Sequence, residues 1–323
     1  QQLMVRLARD NRVLYVDVPR SFLYGLKPRD PQGAGQWQGA ACQEIAPNLH
    51  VYHPPNVFLP SGRLPAALGV TAISANGRLL AALVRRQMRA LGLRDVILWN
   101  FSPLHAGAVP HVPHCLRIYD VCDEWAQYIT WSSGRAILDR IETRLVREAD
   151  LVFVGTENMR APRAALNTHV HVVHHGADYE HFARAADPAL PEPDDLRAVP
   201  RPRIGAIGVL DPQRFDVDLL DFLAAREPDW SFVVVGPARP GLDLGRITRR
   251  PNVYLTGNRA LEVLPAFLKG FDVALIPYRL NDATRNIYPL KLQEYLASGK
   301  PVVSAALPAV MPYADVVGLA DTH

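Results

Sequence analysis

The sequence predicts an α/β chain of two Rossmann-like domains, with parallel sheets facing each other across a cleft. Three observations carry this. Short runs rich in Val, Ile, Leu and Tyr recur along the 323 residues, and their unbroken apolar character suits strands covered on both faces. Segments of helical periodicity lie between them, the alternation that builds α/β folds. A stretch rich in proline and charge, ARAADPALPEPDDLRAVPRP at 183–202, separates two sets of such runs. The expected division is an N-terminal domain at 1–182, a linker at 183–202 and a C-terminal domain at 203–323.

The elements follow in order. QQLMVRLARDN opens the chain as a helix, and RVLYVDVP (12–19) is the first strand run. Residues 20–75 hold many Pro and Gly and read as an insertion with loops. GRLLAALVRRQMRALGLR (77–94) is a basic amphipathic helix, with Leu79, Leu80, Leu83, Met88 and Leu91 largely on one side. Arg78, Arg85, Arg86, Arg89 and Arg94 decorate the rest, so it suits an ordinary surface helix or a dock on an anionic membrane. Strands are expected at 95–101, 116–122, 149–156 and 170–176, then at 203–210, 231–237, 252–257, 272–278 and 301–306. FDVDLLDFLAARE and LEVLPAFLKG have helical spacing between strands of the second set. The helix from Pro289 to Ser298 has proline at its first position and Gly299 past its end. It lacks a polar residue in the capping position, which leaves its first amides open to an anion.

Composition excludes several classes. With 49% hydrophobic and 21% charged residues the chain is an ordinary globular protein. A net charge of +3, without a basic tail, gives no footprint for nucleic acid. Cys42, Cys115 and Cys122 form no CxxC pair and suit a reducing compartment. No apolar run reaches the roughly 18 residues of a membrane span, and no signal peptide is visible. The chain begins at Gln1 without a preceding strand and stops at DVVGLADTH without a closing helix. A fragment lacking both ends is the expectation.

The chemistry concentrates after strands of the second domain. DPQRFD brings Arg214, and RLNDATRNIYP brings Thr284, Arg285 and the amides of Asn286, Ile287 and Tyr288, followed by Lys291. Guanidinium forks, a hydroxyl, an ammonium and helix-start amides are the groups a diphosphate needs. Glu294, one turn into the helix, can accept both hydroxyls of a ribose. Gly236 and Gly257 end two strands where a planar base could lie against backbone. There is no GxGxxG and no GxxxxGK[ST]. In the first domain, Asp123 could orient or deprotonate an acceptor hydroxyl, or cap the following helix. Asp120 is the more structural of the pair, and Trp125 could stack on a sugar or pack. HVHVVHHG, with His169, His171, His174 and His175, lacks a carboxylate to complete a zinc set, so no metal is expected.

TRNIYPLKLQEYLASGKPVVS, taken with RIYDVCDEW, ADLVFVGTENM, VVHHGADYEHF and RIGAIGVLDPQRFDVDLL in that family's order, resembles the retaining GT-B glycosyltransferases of the family-4-like group. The resemblance implies a nucleotide-diphosphate sugar as donor substrate in the C-terminal domain, with no separate cofactor. Glu294 would hold the ribose, Arg214 and Lys291 the diphosphate, and Asn286 to Tyr288 would offer amides. Asp120, Asp123 and Trp125 would lie on the acceptor side, the acceptor being a glycan or lipid-linked hydroxyl. It implies a cytoplasmic enzyme of bacterial surface-polysaccharide or glycolipid synthesis, with peripheral contact at the inner face of the membrane. Asn286, Val209 and Cys122 stand where many members have Glu, Arg and His; Arg285 is the expected replacement for lost charge. These departures keep two alternatives open, a non-catalytic nucleotide-sugar-binding partner subunit and a GT-B nucleotide-sugar epimerase.

Overall fold

A computed structural model describes residues 2–21, 40–59, 66–125 and 132–321. The chain divides into two compact units, 1–172 and 173–323. In the first unit a short helix α1 (Gln2–Leu7) leads into β1 (Val13–Val16). β2 (Ala41–Ala46) and β3 (Leu49–His53) follow as an antiparallel pair, and β3 lies parallel to β1 in the order β1-β3-β2. The stretch expected to be loops therefore contains a hairpin. Its turn carries Asn48 at φ 63°, a conformation asparagine tolerates.

The long helix α2 (Ala66–Ala90) precedes a four-stranded parallel sheet of β4 (Ile97–Asn100), β5 (Leu116–Val121), β6 (Leu151–Val154) and β7 (Val170–Val172), in that order. α3 (Ser132–Glu148) and α4 (Glu157–Ala164) connect its later strands. The apolar side of α2 is spent inside this unit: Leu80, Ala81, Val84 and Met88 share a core cluster with Phe58, Ala108 and Val112. Gly77 allows a close approach there, since a Cβ on it would stand 2.1 Å from the Gly107 carbonyl carbon. Arg78, Arg86, Arg89 and Arg94 face solvent.

The second unit begins with α5 (Tyr179–Ala183) and α6 (Asp194–Arg197). These fall in and beside the stretch expected to be a linker, and they are not a free tether. Phe182, Ala185, Leu196 and Val199 are buried in the same cluster as Leu268, Phe271 and Tyr295. The stretch 183–202 is therefore part of the second unit, its few apolar residues spaced to fill that core. The main sheet holds β8 (Arg203–Ile207), β9 (Ser231–Val235), β10 (Val253–Gly257), β11 (Val273–Ile276), β12 (Val302–Ala305) and β13 (Gly318–Ala320). All pairings are parallel, in the order β10-β9-β8-β11-β12-β13. Sequence order reverses between β8 and β11, the switch point at whose carboxyl ends open α/β sheets bind ligands. α7 (Val217–Arg226), α8 (Leu264–Gly270), α9 (Asp282–Arg285) and α10 (Leu290–Ala297) complete the unit. β8 and β9 are buried along their whole length, as strands covered on both faces must be.

Candidate functional site

The carboxyl ends of β8, β9 and β10 carry Gly208, Gly236 and Gly257 as a row. Gly208 N donates to Val235 O and Gly236 N to Gly257 O, each at 2.8 Å. All three have positive φ, at 138°, 143° and 71°. The row is tight at two positions. A Cβ on Gly236 would lie 1.9 Å from the Gly208 carbonyl oxygen, and one on Gly208 would lie 2.1 Å from Lys291 Cε. At Gly257 the space is open.

Lys291 lies in the first turn of α10 and lines a small pocket with Gly208, Val209, Pro277 and Tyr278. Its Nζ donates to Tyr278 Oη at 2.8 Å and sits 5.3 Å from the centre of that ring. The turn after β8 is stitched to the segment after β11. Arg279 N donates to Arg214 O, Asp216 N to Pro277 O, and Asn281 Nδ2 to Gln213 O, each at 2.8 Å. These bonds place Arg214, half-buried, on the turn beside Tyr278. Asp211, 7% exposed, adds a tie from the β8 turn to the β9 turn through Arg239 at 3.2 Å. Tyr278 and Asp211 were not singled out from sequence, although both sit at ends of recognisable strand runs.

Glu294 is half-buried on α10, and among the described residues its carboxylate makes no hydrogen bond or ion pair. Burial holds its carboxyl above the usual carboxylate range, opposed first by Lys291 and then by His181. A desolvated carboxylate near a cation, with no protein donor on it, marks a candidate ligand-binding group. α10 has no side-chain cap and no acidic residue in its first turn. Pro289 stands at the capping position, so the helix begins one residue later than expected from sequence.

Other expected ligands are committed elsewhere. Thr284 is fully buried and closes a capping box with Asn281 on α9; its hydroxyl also donates to Arg279 O. The hydroxyl expected to face a diphosphate is thus spent on the backbone. The amides of Asn286 and Ile287 both turn back to Thr284 O. Arg285 is exposed on α9, with Nη2 3.6 Å from Asp282. Tyr288 is buried: its hydroxyl pairs with Tyr313 Oη at 2.7 Å and accepts from Gln293 Nε2 at 2.7 Å. His174 stacks on the Tyr288 ring at 4.8 Å, and His175 meets its edge at 6.2 Å. That packing accounts for two histidines of the HVHVVHHG run. Among the described residues no group of three His, Cys, Asp or Glu is placed to hold a metal.

In the first unit Asp120, on β5, accepts from Trp99 Nε1 at 3.0 Å. Asp123 follows the strand, and its carboxylate accepts the Glu124 amide at 3.0 Å. Trp125 has its indole N–H buried without a partner among the described residues. The segment is pinned by Arg163, which forks onto Glu124 at 2.9 and 3.2 Å and reaches Glu142 at 2.6 Å. Sequence reasoning did not find this network, because its members lie far apart in the chain.

Residues 201–318 match the family model described as glycosyl transferases group 1. TuaH of Bacillus subtilis (strain 168), provisionally described as a teichuronic acid biosynthesis glycosyltransferase, is 30% identical over 204 residues. The match covers 59% of this chain and 51% of TuaH, so the chain spans about half the length of that curated relative. Sucrose-phosphate synthase from Thermosynechococcus elongatus superposes with a TM-score of 0.61 at 16% identity, over 95% of this chain and 74% of its own. The E. coli trehalose-6-phosphate structure bound with UDP-2-fluoro glucose gives 0.63 at 12% identity, over 95% and 87%. Anabaena HepE in complex with UDP-glucose gives 0.57 at 19% identity, over 83% and 72%. At such identities the likeness is one of fold. Residues 201–318 are a glycosyl transferases group 1 domain, and the chain that carries it has the α/β, parallel-sheet fold of the GT-B glycosyltransferases.

Proposed function

We propose that the protein transfers a sugar from a nucleotide-diphosphate sugar to an acceptor hydroxyl, with retention at the anomeric carbon, in the synthesis of a surface polysaccharide or glycolipid. The observation that carries the reading is the unpartnered, desolvated Glu294 next to Lys291 at the β8/β11 switch point. Glu294 accepts the two ribose hydroxyls. Arg214, Lys291 and the uncapped start of α10 face the diphosphate, and the nucleobase lies against Gly236 and the open Gly257. Trehalose-6-phosphate and HepE structures of this fold hold UDP sugars, which makes UDP the first nucleotide to try.

In the reaction the bond between the anomeric carbon and the diphosphate oxygen breaks, and its electron pair stays on the phosphate. The acceptor oxygen takes the carbon on the same face, and its proton leaves with the diphosphate. Lys291, Arg214 and the helix dipole oppose the charge that grows on the leaving group. These cations meet the electrostatic need, so the reading calls for no metal. Asp123 orients the acceptor hydroxyl. A cytoplasmic site of action, at the inner face of the membrane for a lipid-linked acceptor, fits this chemistry. Among the described residues no helix is long and apolar enough to cross a membrane.

The test is thermal stabilisation by a panel of nucleoside diphosphates, in wild type and Glu294→Ala. A ligand at about 100 times its Kd adds roughly 2.7 kcal/mol. A base-selective shift lost in the variant supports the reading. A folded protein that responds to no nucleotide overturns it in favour of a degenerate partner subunit without a working donor site. Turnover of the nucleotide sugar without an acceptor, giving an isomer, points to an epimerase.

A further inference from the structure

In the first unit, the parallel register pairs Val16 with Tyr52, so Asp17 and His53 are the next residues along two adjacent strands. Both stand at carboxyl ends of β1 and β3, where parallel strands present ligand-binding groups. Asp17 is held on four sides. Its amide donates to Tyr52 O at 3.0 Å, and its own carbonyl lies 3.3 Å from His105 Nε2. Its Oδ1 accepts the Val18 amide at 2.7 Å, and Oδ2 lies 3.1 Å from His53 Nδ1. His105 is half-buried, and burial favours its neutral ring, which can serve Asp17 as an N–H donor. The carboxylate is therefore fixed before any ligand arrives.

A fixed carboxylate on Nδ1 selects the tautomer of His53 that carries its proton there. Nε2 is then a lone pair, and among the described residues nothing occupies it. The two side chains are 34% and 35% exposed, so the pair is open on one side rather than sealed in a core. The Tyr15 phenol is raised by burial first and then by the charges of Asp17 and Cys122. The Cys122 thiol is raised by burial first, then by Asp120 on β5 and Asp123 after it. An imidazole lone pair backed by the Asp17 carboxylate disfavours phosphates and carboxylates and receives a neutral O–H.

We infer that Asp17 and His53 form an acceptor-hydroxyl site, in which His53 Nε2 accepts a hydrogen bond from a carbohydrate hydroxyl and Asp17 sets the ring. The inference rests on the transferase reading and narrows its acceptor to a neutral, polyhydroxylated sugar at this position. His53 touches the substrate; Asp17 and His105 are positioning residues.

Two measurements test it on the intact chain. Long-range 15N–1H NMR of histidine-labelled protein reads the tautomer. The expected result is Nδ1–H on His53, with an Nε2 resonance that moves as octyl α- and β-glycosides of glucose, galactose and N-acetylglucosamine are titrated. An Nε2–H tautomer, or an Nε2 signal indifferent to every glycoside, overturns the inference. The second is glycoside-dependent UDP release from UDP-glucose in His53→Gln and Asp17→Asn, both checked for folding. At least a tenfold fall in kcat/KM for the glycoside is expected in each, with UDP stabilisation unchanged. Loss confined to kcat in Asp17→Asn, with the glycoside KM unmoved in both variants, defeats an acceptor-binding role. If no nucleoside diphosphate of the panel stabilises wild type or variants, the donor reading has failed; if UDP binds all three and the glycoside response is intact, only the acceptor site has.

Discussion

Glu294 and Arg163 show how two buried charges are handled in opposite ways. Burial raises the Glu294 carboxyl above its ordinary value of 4.5. The stability linked to its titration is fully present below the unfolded value and is lost as pH rises through the folded one. Glu294→Gln is therefore expected to raise the melting temperature of the ligand-free protein at neutral pH, with the gain shrinking as pH falls towards 4.5, while nucleotide no longer stabilises it. A variant that melts below wild type at pH 7 would show that Glu294 has a protein partner. Arg163 is the contrary case, since its charge is met by Glu124 and Glu142. Arg163→Met strands two acids, one of them only 8% exposed, and should cost about 3–5 kcal/mol in urea unfolding. A loss under about 1 kcal/mol would mean that the acids simply take up protons. At this scale the sequence was half legible. Lys291 and Glu294 could be picked out by their place on one helix, and they do lie together. Thr284 misled because Asn281-x-x-Thr284 closes a capping box that does not follow the usual Ser/Thr-x-x-Glu pattern.

Elements were easier to read than side chains. Each of the ten apolar runs contains a strand, shorter than the run by a few residues at its ends. Burial on both faces leaves an uninterrupted apolar signature, and β9 (SFVVV) is the clearest. β2 and β3 were missed because half-exposed strands such as ACQEIA, with polar residues at their centre, carry little of that signature. β13 is three residues long, below what periodicity can detect. The ends of β8 and β9 give an element-scale prediction. Gly236→Ala forces a Cβ towards a backbone oxygen at a φ that L-residues rarely adopt. It should cost at least about 1–3 kcal/mol and abolish nucleotide stabilisation. Gly257→Ala meets only the φ penalty and should retain binding. Equal effects at both glycines would remove the argument that the row is packed.

The described hydrophobic clusters fall within one unit or the other, and none mixes residues from 1–172 with residues from 173–323. Calorimetry is expected to resolve two transitions, and a nucleoside diphosphate should move only the one that belongs to the second unit. A single transition displaced as a whole would show that the units unfold together. The sequence placed the boundary in the proline-rich stretch, because composition marks where large apolar residues are scarce. The structure places it at Val172, because the scarce ones, Leu196 and Val199 among them, are buried.

The hydroxyls of Tyr288 and Tyr313 and the amide of Gln293 close on one another in a half-buried triangle. Such a triangle constrains how the protein can diverge. Replacing one corner with an apolar residue leaves the other two short of a partner, so single steps are penalised while joint replacement by apolar side chains is not. In homologous chains these three positions should change together or not at all. Because Tyr288 immediately precedes Pro289, the capping residue of α10, such concerted exchanges would mark lineages that have rebuilt the same turn for another leaving group.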